Sequence, residues 1–156
     1  MKKLLLLLLL ILIGCSEEPI NGKLLEYSSK GYYHKSTGEI YTGPVYELWD
    51  DWTSHGSGWD EVGFEEGYIK NGKRHGTFTS RFVLWDGDTP RKKERDFKNG
   101  ELEMVRVYHH NGKLSFEEPY KNRRKHGTQK FYDTETGQLK SGYIYKNGKL
   151  ESEINY

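Results

Sequence analysis

Between Glu47 and Glu66 the chain reads ELWDDWTSHGSGWDEVGFEE. The stretch holds seven carboxylates and three of the four tryptophans, with no Lys or Arg. Indole faces at Trp49, Trp52 and Trp59 suit stacking on an apolar or sugar surface, and Trp is favoured where binding energy concentrates. Asp50, Asp51, Asp60 and His55 would supply polar contacts. The same oxygens suit a hard cation such as Ca²⁺. The Asp-x-Asp-x-Asp-Gly spacing is absent, so no metal is assigned. Asp50/Asp51 and Asp60/Glu61 are also the kind of carboxylate pairs that hydrolyse glycosides. Acidic pairs are common in a chain that is 30% charged, so this signal is weak. The plainer reading packs the tryptophans beneath a long loop.

Two histidines close two similar octapeptides, KNGKRHGT from Lys70 to Thr77 and KNRRKHGT from Lys121 to Thr128. His75 and His126 are either a proton shuttle or metal pair, or residues placed beside turns by a repeated unit. The second reading is preferred, because repeated units hold equivalent residues apart. His109 and His110 adjoin each other on an expected strand, so they face opposite sides and make a poor metal site. Ser57 lacks the G-x-S-x-G elbow. There is no H-E-x-x-H, P-loop or G-x-G-x-x-G. No catalytic residue and no cofactor is assigned.

One residue carries a different chemistry. Lys2 and Lys3 precede ten apolar residues, Leu4 to Ile13, and then Gly14-Cys15-Ser16. This pattern predicts a secretory signal peptide. Ten residues of helix reach only about 15 Å, against a hydrocarbon core of about 30 Å, so a permanent span is not expected. Leu12-Ile13-Gly14-Cys15 resembles a bacterial lipobox. That resemblance implies cleavage before Cys15 and acylation of this, the only cysteine. Acyl chains such as palmitate contribute about 0.8 kcal/mol per buried CH₂, and several together hold a protein stably on a membrane. Ser16 in place of Asp favours the outer membrane. Glu17 and Glu18 resemble acidic surface-export signals.

Removing residues 1–14 leaves 22 of the 24 Lys and Arg against 23 Asp and Glu, a balance of −1. No overall charge drives the chain onto nucleic acid. Hydrophobic residues make up 34% and aromatic residues 14%, with twelve tyrosines. A thick core is hard to build from these. A thin sheet covered by Tyr, Phe and Lys stems is easier.

What must position the candidate loop is a set of hairpins. Asn-Gly occurs at 21–22, 71–72, 99–100, 111–112 and 147–148, Asp-Gly at 86–87, and Thr-Gly at 37–38 and 136–137. Asn-Gly and Asp-Gly suit type I′ turns, whose two central residues need positive φ. Glu101 to His109, Gly127 to Tyr132 and Leu139 to Tyr145 read as strands. From Gly87 on, strand plus turn recurs every 11 to 14 residues. Two such steps make a unit of about 23 to 25 residues, and the octapeptides start 51 residues apart, or two units.

Tyr145-Lys146-Asn147-Gly148-Lys149-Leu150, together with Lys125-His126-Gly127-Thr128 … Phe131-Tyr132 … Gly137-Gln138-Leu139-Lys140, resembles the bacterial variant of the MORN repeat. The match is best over 67–156 and blurred over 21–48. The resemblance implies an all-β antiparallel meander of stacked hairpins, used for interaction rather than catalysis. Members classed as antitoxin components belong to that family, a label that a lipidated, exported chain fits poorly. The expected organisation is a signal peptide at 1–14, an acylated tether at 15–26 and a repeat domain at 27–156, with an acidic Trp-rich insertion at 49–66. Arg123 replaces a turn glycine, so that turn is expected to differ in shape. Arg91-Lys92-Lys93-Glu94-Arg95 and Arg123-Arg124-Lys125 read as solvated faces. The expected function is a lipid-anchored binding or scaffold module of the cell envelope with a protein or glycan ligand. The alternatives are an immunity-type protein that neutralises a partner protein, and a glycan-active enzyme using Asp50, Asp51 or Asp60.

Overall fold

The computed structural model describes residues 17–49, 64–82 and 91–156. The chain forms β1 (Ile20–Asn21), a 3₁₀ turn (Gly22–Leu24), β2 (Leu25–Ser28), β3 (Gly31–His34), β4 (Gly43–Trp49), β5 (Phe64–Lys70) and β6 (Lys73–Phe82). It continues with β7 (Arg91–Lys98), β8 (Glu101–Tyr108), β9 (Leu114–Lys121), β10 (Arg124–Lys125), β11 (Gly127–Tyr132), β12 (Leu139–Lys146) and β13 (Lys149–Asn155). The strands order as β1-β4-β5-β6-β7-β8-β9-β11-β12-β13, with β10 beside β9 and β2–β3 as a separate hairpin. All pairings are antiparallel except β1 with β4. The protein is an all-β meander, the architecture expected from its strands and turns together with the repeat resemblance. No helix among the described residues is long and apolar enough to cross a membrane.

Because neighbours alternate in direction, the turns at Asn71, Asn99, Asn122 and Asn147 all fall at one end of the sheet, the turn end. The last residues of β4 and β6, the first of β5 and β7, and the connections 109–113 and 133–138 fall at the other, the loop end. At the turn end three of the four turns are tied to the stretch that precedes their hairpin. The N–H groups of Gly72, Gly100 and Gly148 donate to the carbonyls of Tyr41, Arg74 and Lys125, each at 2.8 Å. Tyr41, Arg74 and Lys125 each stand two residues before a glycine, at 43, 76 and 127. The sequence repeat is therefore a repeat of hydrogen bonds.

The core is thin and uneven. Leu25 and Tyr32 of the β2–β3 hairpin cover one face of the sheet, packing with Val45, Leu48, Ile69 and Phe78. Gly67 makes room for Phe78, since a Cβ there would stand 2.6 Å from the ring. A smaller cluster of Leu102, Val105 and Val107 packs with Phe97, Phe116 and Tyr120. On the other face charge alternates across the strands. Glu94 stands opposite Arg106, Arg106 opposite Glu117, and Glu117 opposite Lys130. Opposite charges facing each other this way contribute roughly 0.2–1 kcal/mol per pair.

Several expectations change. The folded part begins at Ile20, not at residue 27: β1 and the 3₁₀ turn occupy the stretch expected as tether. Asn21-Gly22 is not a hairpin turn. Asn21 has φ −69° and caps the 3₁₀ turn, and a Cβ on Gly22 would meet the Leu48 Cα at 2.4 Å. Asn111-Gly112 is no type I′ turn either, since only Gly112 has positive φ. The Arg123 turn keeps the shape of its relatives: Asn122 and Arg123 both lie in the left-handed region, at φ 52° and 61°. The run Arg91 to Arg95 is not a solvated face. Lys93 and Arg95 alternate inward along β7 and are buried. Phe64 to Glu66 open β5, so the interruption expected at 49–66 does not reach into them as loop.

Candidate functional site

Trp49 ends β4 and is 57% exposed, with the Phe64 ring edge-on at 5.8 Å and 74°. Beside this pair an open cleft of about 410 Å³ is lined by Tyr46, Glu47, Phe64, Glu66, Ser80 and Arg81, among others. Tyr46 and Phe64 are themselves exposed. The cleft lies at the loop end, along the last residues of β4 and β6 and the first of β5. Trp49, the one tryptophan among the described residues, stands at this end.

A bulge shapes the cleft wall. The β4–β5 register shifts between Val45 and Leu48, and Glu47 sits at φ 51°. Bulges recur beside functional sites because they re-aim side chains, and left-handed backbone at a non-glycine residue marks a constrained position. Here the carboxylate of Glu47 accepts from Asn21 Nδ2 at 2.9 Å and pairs with Lys23 Nζ at 3.2 Å. The Asn21 hydrogen bond, then Lys23, holds its pKa below the usual glutamate range. Lys23 also stands 5.4 Å over the Phe64 ring. The short strand β1 thus braces the wall.

The floor is charged and dry. Glu65 is 1% exposed, and it accepts from Arg95 through Nε at 2.9 Å and through a terminal guanidinium nitrogen. Arg74 lies 3.4 Å from the other carboxylate oxygen and about 5.5 Å from the ring of Phe78. Arg74 also donates to the Trp49 carbonyl at 3.5 Å. A carboxylate held between two arginines is a poor base or nucleophile. Through Arg74 this floor holds the Trp49 end of the Trp49–Phe64 edge.

Of the residues singled out by sequence, Trp49 falls at this site. Asp50, Asp51, Trp52, His55, Trp59 and Asp60 lie outside the described residues, as does Cys15. His75 and His126 are not brought together. Four strand spacings separate β6 from β11, or roughly 19 Å at about 4.8 Å each. His126 Nδ1 faces the Asn147 N–H at 3.4 Å, while His75 Nδ1 is buried without a hydrogen-bond partner among the described residues. His109 and His110 sit in the connection after β8 rather than on it, and His109 meets Thr134 Oγ1 at 3.2 Å. No cluster of three His, Cys, Asp or Glu among the described residues could hold a metal ion. Sequence reasoning missed Tyr46, Phe64 and Arg81. Tyr46 stands just before the acidic stretch and Phe64 inside it, while Arg81, near the end of β6, carried no signal.

No protein-family model matches the chain, and neither a curated protein nor a solved structure does.

Proposed function

We propose that the chain is a lipid-anchored, non-catalytic binding module of the bacterial cell envelope. Acylated Cys15 holds it, with the outer membrane as its expected site, and its loop end takes a protein or glycan ligand. The observation that carries this reading is the exposed Trp49–Phe64 pair beside the cleft, where β4 ends and β5 begins. Loops on a rigid scaffold are common places for binding function. The repeated Asn turns and their shared hydrogen bonds favour the MORN-like interaction role over catalysis.

The test compares the native chain with a Trp49→Ala, Tyr46→Ala variant. Each would be used to capture partners from envelope protein and from purified envelope glycans. Loss of a captured partner at unchanged melting temperature supports the reading. Full capture by the variant would move the binding surface elsewhere. Incorporation of labelled lipid, lost in Cys15→Ser, checks the anchor separately.

A further inference from the structure

We infer that the sheet face at β9, β11 and β12 holds a second binding site, for a neutral saccharide ring, built around the side chain of Gln129. It is separate from the Trp49 cleft. Six strand spacings lie between β4 and β11, or roughly 29 Å along the sheet at about 4.8 Å each.

Period two sorts the side chains. Phe116, Glu118 and Tyr120 share one face of β9, and cross-strand pairing puts Lys125, Gln129 and Phe131, then Tyr143 and Tyr145, on that same face. Glu118 stands opposite Val105, Val105 opposite Arg95, and Arg95 opposite Phe78. This is therefore the face that Leu25 and Tyr32 cover at β4 to β6. Neither of those two belongs to the cluster around Val105, so their hairpin leaves β9, β11 and β12 to themselves among the described residues.

Gln129 is 7% exposed, yet its amide has no hydrogen-bond partner among the described residues. Neither amide atom is fully buried, so both open to the surface. A buried polar side chain ordinarily finds a partner, and one that does not calls for a reason. The register that sets Lys130 against Glu117 sets Gln129 beside Glu118, and Tyr143 stands opposite it on β12.

Glu118 is 6% exposed and held in place. Its Oε1 accepts from the Tyr120 hydroxyl, and its Oε2 meets Lys125 Nζ at 2.5 Å. Burial, then Glu118 itself, raises the Tyr120 pKa, so that hydroxyl remains a donor. Lys125 stands in turn 5.1 Å over the Tyr145 ring. A carboxylate accepts at about four lone-pair sites, so Glu118 keeps acceptor capacity for a ligand.

These groups select what they bind. Gln129, Glu118 and Lys125 together offer an amide donor, an amide acceptor, a carboxylate acceptor and an ammonium donor. Glu118 would repel an anion, and Lys125 a cation. A neutral ring of adjacent hydroxyls, each both donor and acceptor, answers all four groups. Phe131 and Tyr143, ring to ring at 5.7 Å and 82°, supply the apolar flank that the C–H face of a pyranose needs. Aromatic surface with a few convergent polar groups is the usual make-up of a ligand site.

The experiment titrates the full chain, in detergent, with cellohexaose, maltohexaose, chitohexaose and hexagalacturonate, followed by calorimetry. At least one of the three neutral hexasaccharides is expected to bind at millimolar concentration or below, and hexagalacturonate more weakly than that one. Gln129→Met keeps the length of the side chain and removes the amide. It should weaken the binding roughly tenfold without lowering the melting temperature, since the amide makes no hydrogen bond within the described fold. Gln129→Asn, which keeps the amide but shortens its reach, should weaken it as well. Absence of binding by all three neutral hexasaccharides, or full binding by both Gln129 variants, would overturn the proposal. Binding that survives Gln129→Met and is lost in Trp49→Ala would do so by placing the saccharide at the cleft. Tighter binding of hexagalacturonate, or of a glycine-serine peptide of equal length, would also overturn it, by assigning the face to an acidic polymer or to a protein segment.

Discussion

Glu65 and Arg95 meet across an intervening strand, from β5 to β7, and both are at least 98% buried. Removing one member of a buried ion pair typically costs about 3–5 kcal/mol, toward the low end here because Arg74 stays 3.4 Å from the other Glu65 oxygen. Arg95→Met is therefore expected to lower the unfolding free energy by that order. Glu65→Leu combined with Arg95→Met should cost clearly less than the two single changes added together. Urea unfolding of the three variants measures the coupling, and simple additivity would show there is none.

Arg123 has φ 61° where the equivalent turns carry glycine. A left-handed backbone costs an ordinary residue roughly 1–2 kcal/mol, part of which glycine gives back as unfolded-state entropy. Arg123→Gly should raise stability by up to about 1 kcal/mol, and Gly148→Ala, at φ 85°, should lower it by a similar amount. Thermal midpoints of both variants decide the matter.

At the position of His126 an earlier repeat has Thr42. Its Oγ1 accepts from the Asn71 N–H at 2.8 Å, as His126 Nδ1 faces that of Asn147 at 3.4 Å. His126→Thr should stay within about 0.5 kcal/mol of the native protein, and His126→Ala should lose about 1 kcal/mol with the acceptor. Partner capture should be unaffected by either. Loss of capture at unchanged stability would return His126 to the list of functional residues.

Glu117 has its pKa lowered, chiefly by the Lys130 hydrogen bond, which outweighs burial. A carboxyl depressed in the folded state adds stability that is present above its unfolded pKa and lost as pH falls through the folded value. Urea midpoints should thus hold steady down to about pH 4.5 and decline below it. Glu117→Gln should flatten that decline. An unchanged acid limb would mean other carboxylates control it.

The hairpins from β7 onward were legible because Asn-Gly pairs flank runs of strand length. Gly127–Tyr132 is matched residue for residue. Asn21-Gly22 misled because the same dipeptide here serves close approach: Gly22 has no room for a side chain above Leu48. Arg91 to Arg95 misled because alternation was judged by polarity alone. A strand with period two buries every second residue whatever its charge, provided a partner such as Glu65 waits inside. That partner lies 30 residues away in sequence, and only the fold connects them. The cleft was half legible. Trp49 announced itself by composition, whereas Tyr46, Phe64 and Arg81 matter because strand pairing brings β4, β5 and β6 side by side, which sequence alone does not fix.

The two ends of the chain leave from opposite margins of the sheet, β1 at one side and β13 at the other. A pull between them therefore acts across the strands rather than along them. The hydrogen bonds of each strand pair then bear the load in sequence, as in a peeled strip, instead of sharing it. The first to yield at the N-terminal margin would be β1, held to β4 at only Ile20 and Asn21. Stretched from its ends, such a protein should lengthen in steps of one strand at low force and re-form by the same steps when released.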